Sequence, residues 1–242
     1  MENKVAEAVT DLKQYISHLK ENGVSEVQMD PAKLDALGKV PGPTEARPQP
    51  EPPAPTASQT DLPTDRNRAI ENINARIASC QDCPLWETRT KTVPGEGCLD
   101  PDLMFIGEAP GKDEDLQGSP FVGRAGKLLD RLITRMGYTR DEVFIGNICK
   151  CRPTENYQMK KDRPPQAEEM EACIHYLKEQ ILIIRPKVIV ALGNTAMEGL
   201  FGFRGITKRR GKWLEYEGIP TMPTYHPSYL LRGGGDQGKR FW

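Results

Sequence analysis

Near the start of the chain, Val5, Val9, Leu12, Ile16 and Leu19 recur at intervals of four, three, four and three. That spacing draws a single apolar stripe along a helix. The stripe has no core of its own, so it predicts a helix that docks on a partner or stays a solvated tail. From residue 65 the pattern turns to alternating helices and short apolar runs. Asp65 to Ala78 reads as a helix, and Leu103-Met104-Phe105-Ile106-Gly107 as a buried strand entering a Gly/Pro turn. Ala125 to Met136 reads as a helix with Leu128, Leu129, Leu132, Ile133 and Met136 facing inward. Val143 to Asn147 repeats the strand-then-turn pattern, and a long helix follows from about Pro165 to Ile184, stopped by Pro186. Val188 to Gly193 is the third strand, Asn194 to Leu200 starts another helix, and Ile219 to Thr224 is the fourth strand. Strands alternating with helices predict an α/β domain of three layers, α/β/α, around a central, mostly parallel four-stranded sheet. Ligands of such sheets bind outside the carboxyl ends of the strands. Those ends deliver Glu108, Asn147, Asn194 and His226.

Composition divides the chain further. Between Pro41 and Pro63 stand eight prolines and almost no large apolar residue. Such a stretch cannot bury enough surface to offset its ordering entropy, so it reads as a disordered linker. The expected organisation is a helical segment over 1–40, a linker over 41–64 and a catalytic domain over 65–242. Net charge is −1 over 242 residues, which argues against a generally basic nucleic-acid binder. Residues 1–64 hold 6 Lys and Arg against 10 Asp and Glu, and the remainder holds 27 against 24. Affinity for a polyanion must therefore come from a local patch. No run of about 18 apolar residues suggests a membrane span. The opening Met1-Glu2-Asn3-Lys4 has no apolar signal core, so a cytoplasmic protein, monomeric and with no membrane partner, is expected.

Six cysteines in a reducing compartment point to metal or catalysis before disulfides. Cys80 and Cys83 form C-x-x-C, Cys149 and Cys151 lie just past the second strand, Cys173 is on the long helix and Cys98 in a Gly-rich loop. Four thiolates suffice for zinc or a [4Fe–4S] cluster. Spacing alone separates neither the two metals nor the two cysteines that complete the set.

The ordered motifs Cys80-x-x-Cys83-Pro84-Leu85, Gly107-Glu108-Ala109-Pro110-Gly111, Ser119-Pro120-Phe121-Val122-Gly123-Arg124-Ala125-Gly126, Asn147-x-x-Lys150-Cys151-Arg152-Pro153 and His226-Pro227-Ser228 resemble those of family 4 uracil-DNA glycosylases. These are the bacterial and archaeal enzymes that carry an iron–sulfur cluster. The resemblance covers residues from about 70 to 242 and leaves out the N-terminal helix and the linker. It implies a DNA-repair glycosylase with a [4Fe–4S] cluster on Cys80, Cys83, Cys151 and Cys173, away from the catalytic pocket, with Cys98 and Cys149 as ordinary cysteines. The stretch from Glu155 to Pro165 makes the interval between Cys151 and Cys173 longer than the family's. The resemblance also implies a final helix beyond Trp242.

Excising a base from a duplex requires taking it out of the stack into a fitted pocket. A side-chain amide that donates to O4 and accepts from N3–H selects uracil over cytosine, and Asn147 is the candidate. Phe121 matches the aromatic face that stacks on the flipped base, and Asn156 matches a family position near the site. Cleavage leaves a uracil anion, and stabilising that charge is the main catalytic task. His226, at a strand-end turn, matches the residue that hydrogen-bonds uracil O2. Where better-known uracil glycosylases place a water-activating aspartate, this chain has Ala109. Glu108 and Glu114 are the nearest carboxylates, and Glu114 is the choice for orienting water or the loop. The glycines of Gly107–Gly111 fit neither a dinucleotide nor a phosphate-loop fingerprint, and instead let backbone amides approach uracil or phosphate. Lys208, Arg209, Arg210 and Lys212 form the densest basic run, with Trp213 beside it. Such a run neutralises DNA phosphates without reading sequence. Ser228, Tyr229, Leu230 and Leu231 follow the histidine, where an apolar side chain fills the gap left by the flipped base.

Three rival readings are weighed against this one. A related enzyme bonds covalently to the excised site through a histidine in an inserted basic loop, but the extra stretch here, with Lys160, Lys161 and Arg163, has no histidine. A non-catalytic iron–sulfur or zinc DNA-binding module is opposed by Asn147, Phe121 and His226. A tail that tethers a replication or repair partner could coexist with catalysis.

Overall fold

The computed structural model describes residues 62–155 and 161–232. The N-terminal stripe, the Pro-rich stretch up to residue 61, Asn156 and the chain from residue 233 lie outside the described residues. Six strands form one sheet: β1 (Glu96–Gly97), β2 (Leu103–Gly107), β3 (Phe144–Asn147), β4 (Val188–Leu192), β5 (Leu214–Tyr216) and β6 (Ile219–Thr224), in the order β1-β3-β2-β4-β6-β5. The inner four run parallel and are those that the apolar runs predict. β1 and β5 add antiparallel edges. Neither edge strand is in the sequence expectation, because two or three residues are too short to show a period.

The helices are α1 (Leu62–Ser79), α2 (Lys112–Gln117), α3 (Arg124–Arg135), α4 (Ala167–Ile184), α5 (Gly193–Phe201), α6 (Ile206–Arg209) and α7 (Pro227–Arg232). α1, α3, α4 and α5 fall where helical periodicity predicts them. α2, α6 and α7 are one or two turns long and lie in stretches read as loop or turn. No helix among the described residues is long and apolar enough to cross a membrane.

Alternation along the strands builds the three layers. Met104, Ile106, Phe144, Ile189 and Ala191 face a core shared with Ile73 and Ile77 of α1, Leu177 and Ile181 of α4 and Ala196 of α5. The intervening Phe105, Ile145 and Leu192 face a second core with Leu129 and Ile133 of α3. Buried on both faces, these strands have no polar side to expose, which is why they read as continuous apolar runs. Each fully buried Ile, Leu or Phe contributes roughly 1.5–3 kcal/mol. On α3 only Leu129 and Ile133 of the expected inward row are fully buried; Met136 is 48% exposed, because it caps the helix end beyond the sheet.

β2 pairs with β3 on one side and β4 on the other, so the chain switches sides of the sheet at β2. A crevice at the carboxyl ends of these strands follows from that switch. Gly107 and Asn147 are register partners at those ends.

Candidate active site

Gly107, Phe121, Asn147 and His226 converge at this crevice. Asn147 is 2% exposed, and its Oδ1 accepts no hydrogen bond among the described residues. An unpaired buried acceptor costs about 1–3 kcal/mol, so such an atom marks a place for an incoming donor. Gly107 lines the same space: a Cβ there would strike Asn147 Oδ1 and stand 2.6 Å from Phe121 Cζ. Asn147 and Phe121 can hold these places only because residue 107 has no side chain. Phe121 is buried and has a left-handed backbone, φ 51. Its ring centroid lies 5.5 Å from that of His226, tilted by 30°.

His226 ends the connection from β6 and precedes α7, whose Tyr229 N–H donates to the His226 carbonyl at 2.9 Å. Burial, followed by the charge of Arg232, pulls its pKa down to about 4, so the ring is neutral near pH 7. The Ser228 backbone N–H donates to Nδ1 at 3.2 Å, and the Ser228 hydroxyl lies 2.8 Å from the same atom. Nδ1 therefore keeps its lone pair, and the single proton of the neutral ring is on Nε2. The arrangement presents an N–H donor beside the Phe121 ring. Ser228, expected on DNA, also bonds this histidine.

The carboxylates are occupied. Glu114 Oε1 accepts from the N–H groups of Val122 and Gly123, both at 2.9 Å, and Oε2 from Gly111 N–H at 3.1 Å. Three acceptor sites used in this way join the Gly107–Gly111 turn to the Phe121 turn. These bonds place Glu114 on the loop, as the sequence reading offered, and leave one lone pair of Oε2 unused. Glu108 accepts from the Thr195 hydroxyl of α5, which ties it to a neighbouring helix. Ala109 is partly buried against the core and brings no polar group.

A second site lies on the other side of β3. Cys80, Cys83, Cys149, Cys151 and Cys173 all line one small cavity. Cys98 does not line it; its sulfur accepts from Asp100 N–H at 3.4 Å. The structure thus removes one of the spare cysteines but brings the other, Cys149, to the thiols. Lys150 N–H donates to Cys173 Sγ at 3.2 Å and Arg89 Nη1 to Cys151 Sγ at 3.4 Å. Burial pushes the Cys151 thiol up to about 12 and also raises Cys83. Contact with Cys149 brings Cys173 down to about 7. Buried thiols of this kind give up their protons to a cation rather than to water. Among the described residues no three His, Cys, Asp or Glu side chains gather closely enough to share one metal ion. A zinc ion needs all four sulfurs about 2.3 Å from one point.

The basic run begins on α6. Arg209 stacks on Phe203, 4.0 Å from the ring centroid, and Arg210 on Tyr225 at 4.7 Å. Tyr225 in turn contacts Tyr229, 5.0 Å between centroids. The run is therefore continuous with the His226 segment. Lys208 and Lys212 are exposed, Trp213 is 62% and Tyr229 50% exposed, and Leu230 is only partly so. Sequence reasoning missed Thr195, Lys150 and Arg140. Lys150 is buried, donating to Gln180 Oε1 at 2.8 Å and the Pro94 carbonyl at 3.1 Å.

Comparison with known proteins adds to this geometry. The family model of the uracil DNA glycosylase superfamily matches residues 94–242. A type-4 uracil-DNA glycosylase of Thermotoga maritima is 45% identical over 178 residues, 72% of this chain and 90% of that protein. A type-4 uracil-DNA glycosylase of Sulfurisphaera tokodaii is 46% identical over 173 residues, covering 67% and 76%. A type-5 uracil-DNA glycosylase of Pyrobaculum aerophilum is more distant, 26% identical over 189 residues, covering 64% and 80%.

Proposed function

The chain belongs to the uracil DNA glycosylase superfamily, with the type-4 enzymes, and is a DNA-repair hydrolase that cuts the N-glycosyl bond of deoxyuridine; from that premise we propose how its residues do so. Uracil flips from the DNA into the crevice at the carboxyl ends of β2 and β3, with the face of Phe121 against it. The unpaired Oδ1 of Asn147 accepts the uracil N3–H, and its Nδ2 donates to O4. This buried orphan acceptor is the single observation that carries the reading. Cytosine offers no N3–H and places an amino group where the amide must donate, so it leaves two buried polar groups unpaired.

As the glycosidic bond stretches, negative charge grows on uracil. His226, neutral and protonated at Nε2, donates to O2. A donor of this kind is worth about 10²–10³ in kcat. Position 109 brings alanine rather than a carboxylate, and Glu108 and Glu114 already hold partners. Leaving-group stabilisation carries most of the rate, and water captures the sugar cation afterwards.

The cavity thiols Cys80, Cys83, Cys151 and Cys173 are the proposed ligands of a [4Fe–4S] cluster. Their meeting at one cavity and the N–H···S bonds to Cys173 and Cys151 support this reading. When bound, the cluster supplies a cross-link between α1, the loop after β3 and α4. Lys208 and Lys212 contact DNA phosphates, and Tyr229 and Leu230 face the gap left by the flipped base. The N-terminal segment is the proposed tether for a protein partner.

The test is uracil release from a labelled single-stranded oligonucleotide, with a cytosine oligonucleotide as control. Asn147→Ala should lower kcat/KM for uracil by at least about 100-fold, as expected where a site built to hydrogen-bond its substrate loses that bond. A variant that still releases uracil at the parent rate sinks this assignment.

A further inference from the structure

Phe121 owes its position to a side chain outside the pocket. A bulky residue with φ 51 persists only where its surroundings over-determine it. Two constraints are already described or implied by the backbone. Glu114 holds the N–H groups of Val122 and Gly123, and Gly126 has no Cβ, which would otherwise strike the Phe121 carbonyl. The third is Arg140, on the single 3₁₀ turn Arg140–Glu142. Its Nη2 donates to the Pro120 carbonyl and its Nη1 lies 3.5 Å from the Phe121 carbonyl. The same guanidinium donates to Glu96 Oε1 at 2.8 Å and to Asp130 Oδ1 at 2.7 Å. Two carboxylates thus hold the fork in place while it grips two consecutive carbonyls.

We propose that Arg140 is a positioning residue for uracil excision: it fixes the Pro120–Phe121 turn in its left-handed form and so lays the Phe121 ring against Gly107 and beside His226. Glu114 pins the N–H ends of this turn and Arg140 the carbonyl ends, so the turn is clamped from both sides by opposite charges. Only a planar guanidinium can reach all four acceptors at once; an ammonium is a point charge without the fork. The proposal rests on the stacking role given to Phe121 above.

The experiment is a double-mutant cycle on uracil release, with Arg140→Gln, Phe121→Ala and the two combined, read beside inhibition by free uracil and thermal melting. Arg140→Gln should lower kcat/KM by about 10-fold or more and weaken inhibition by free uracil by a similar factor. In the Phe121→Ala background it should lower kcat/KM little further, because residues that act through one another are not additive. Arg140→Lys should fall between parent and Arg140→Gln, and replaces it in the cycle if the glutamine variant does not fold. A loss that multiplies undiminished in the Phe121→Ala background overturns the positioning role and leaves Phe121 as the stacking residue. Parent activity in Phe121→Ala overturns the stacking role, and the proposal with it.

Discussion

Neutral His226 makes a strong statement about pH. Burial and Arg232 lower its pKa from 6.5 to about 4. At pH 7 roughly one molecule in a thousand then carries the imidazolium, against about a quarter for an unperturbed ring. Uracil release should accordingly be flat from pH 8 to about 5, without an inflection near 6.5 from this histidine, and should change only as the pH approaches 4. Stability follows the same shift. The folded state binds fewer protons than the unfolded state between pH 6.5 and about 4. Stability is therefore lost as pH falls through that window, by about 3 kcal/mol once the ring is charged in both states. His226→Gln keeps an N–H donor but does not titrate, so its melting temperature should fall less on acidification. Its kcat should drop by roughly 10²–10³, because the donor no longer sits at the imidazole Nε2 position. The assay pairs single-turnover uracil release with urea unfolding across pH 4–8. A rate that climbs as pH falls through 6.5 would refute the reasoning, since it would require the charged ring as the acid.

Gly107→Ala should close the pocket, lowering uracil release by at least about 100-fold while overpacking costs about 1–3 kcal/mol in urea unfolding; retained activity would mean that the base lies elsewhere. With the proposed cluster bound, a chelator and reductant should bleach the brown protein and lower Tm by roughly 10 °C or more, because metal affinity is folding energy. Cys151→Ser should do the same, and an unchanged melt in both would show that the thiols hold nothing structural. Lys208→Ala with Lys212→Ala should weaken DNA binding and flatten its dependence on log salt by about two phosphate contacts; an unchanged slope would remove these lysines from the DNA surface.

The sheet was legible wherever strands are buried on both faces. Phe105 and Ile145 alternate with Met104 and Phe144 between two cores, and such strands read as unbroken apolar runs whatever their order. The edges Glu96–Gly97 and Leu214–Tyr216 have no such run. Gly107, Phe121, Asn147 and His226 could be named because strand ends and motif order single them out. What their neighbours do could not be read. Glu114 looks like a free carboxylate in Lys112-Asp113-Glu114-Asp115, yet its partners are backbone N–H groups up to nine positions away. Thr195 reaches Glu108 across 87 positions, and Arg140 reaches Pro120 across 20. Such partners are chosen by tertiary contact, which local pattern does not encode. Spacing failed with the cysteines for the same reason, and the structure itself resolves only Cys98 from the rest.

The switch of direction at β2 also orders events during synthesis. A growing chain delivers Gly107, Phe121 and Asn147 within the first 147 residues, whereas His226 follows only after β4 and β6 have been made. Parallel pairing over such separations is slow, and β4 must dock on β2 before β6 has an edge to join. The residues proposed to read the base are thus made first, and the histidine proposed to stabilise the leaving uracil is made last. A chain still short of residue 226 has base-reading groups without that donor, so any uracil it releases comes off slowly.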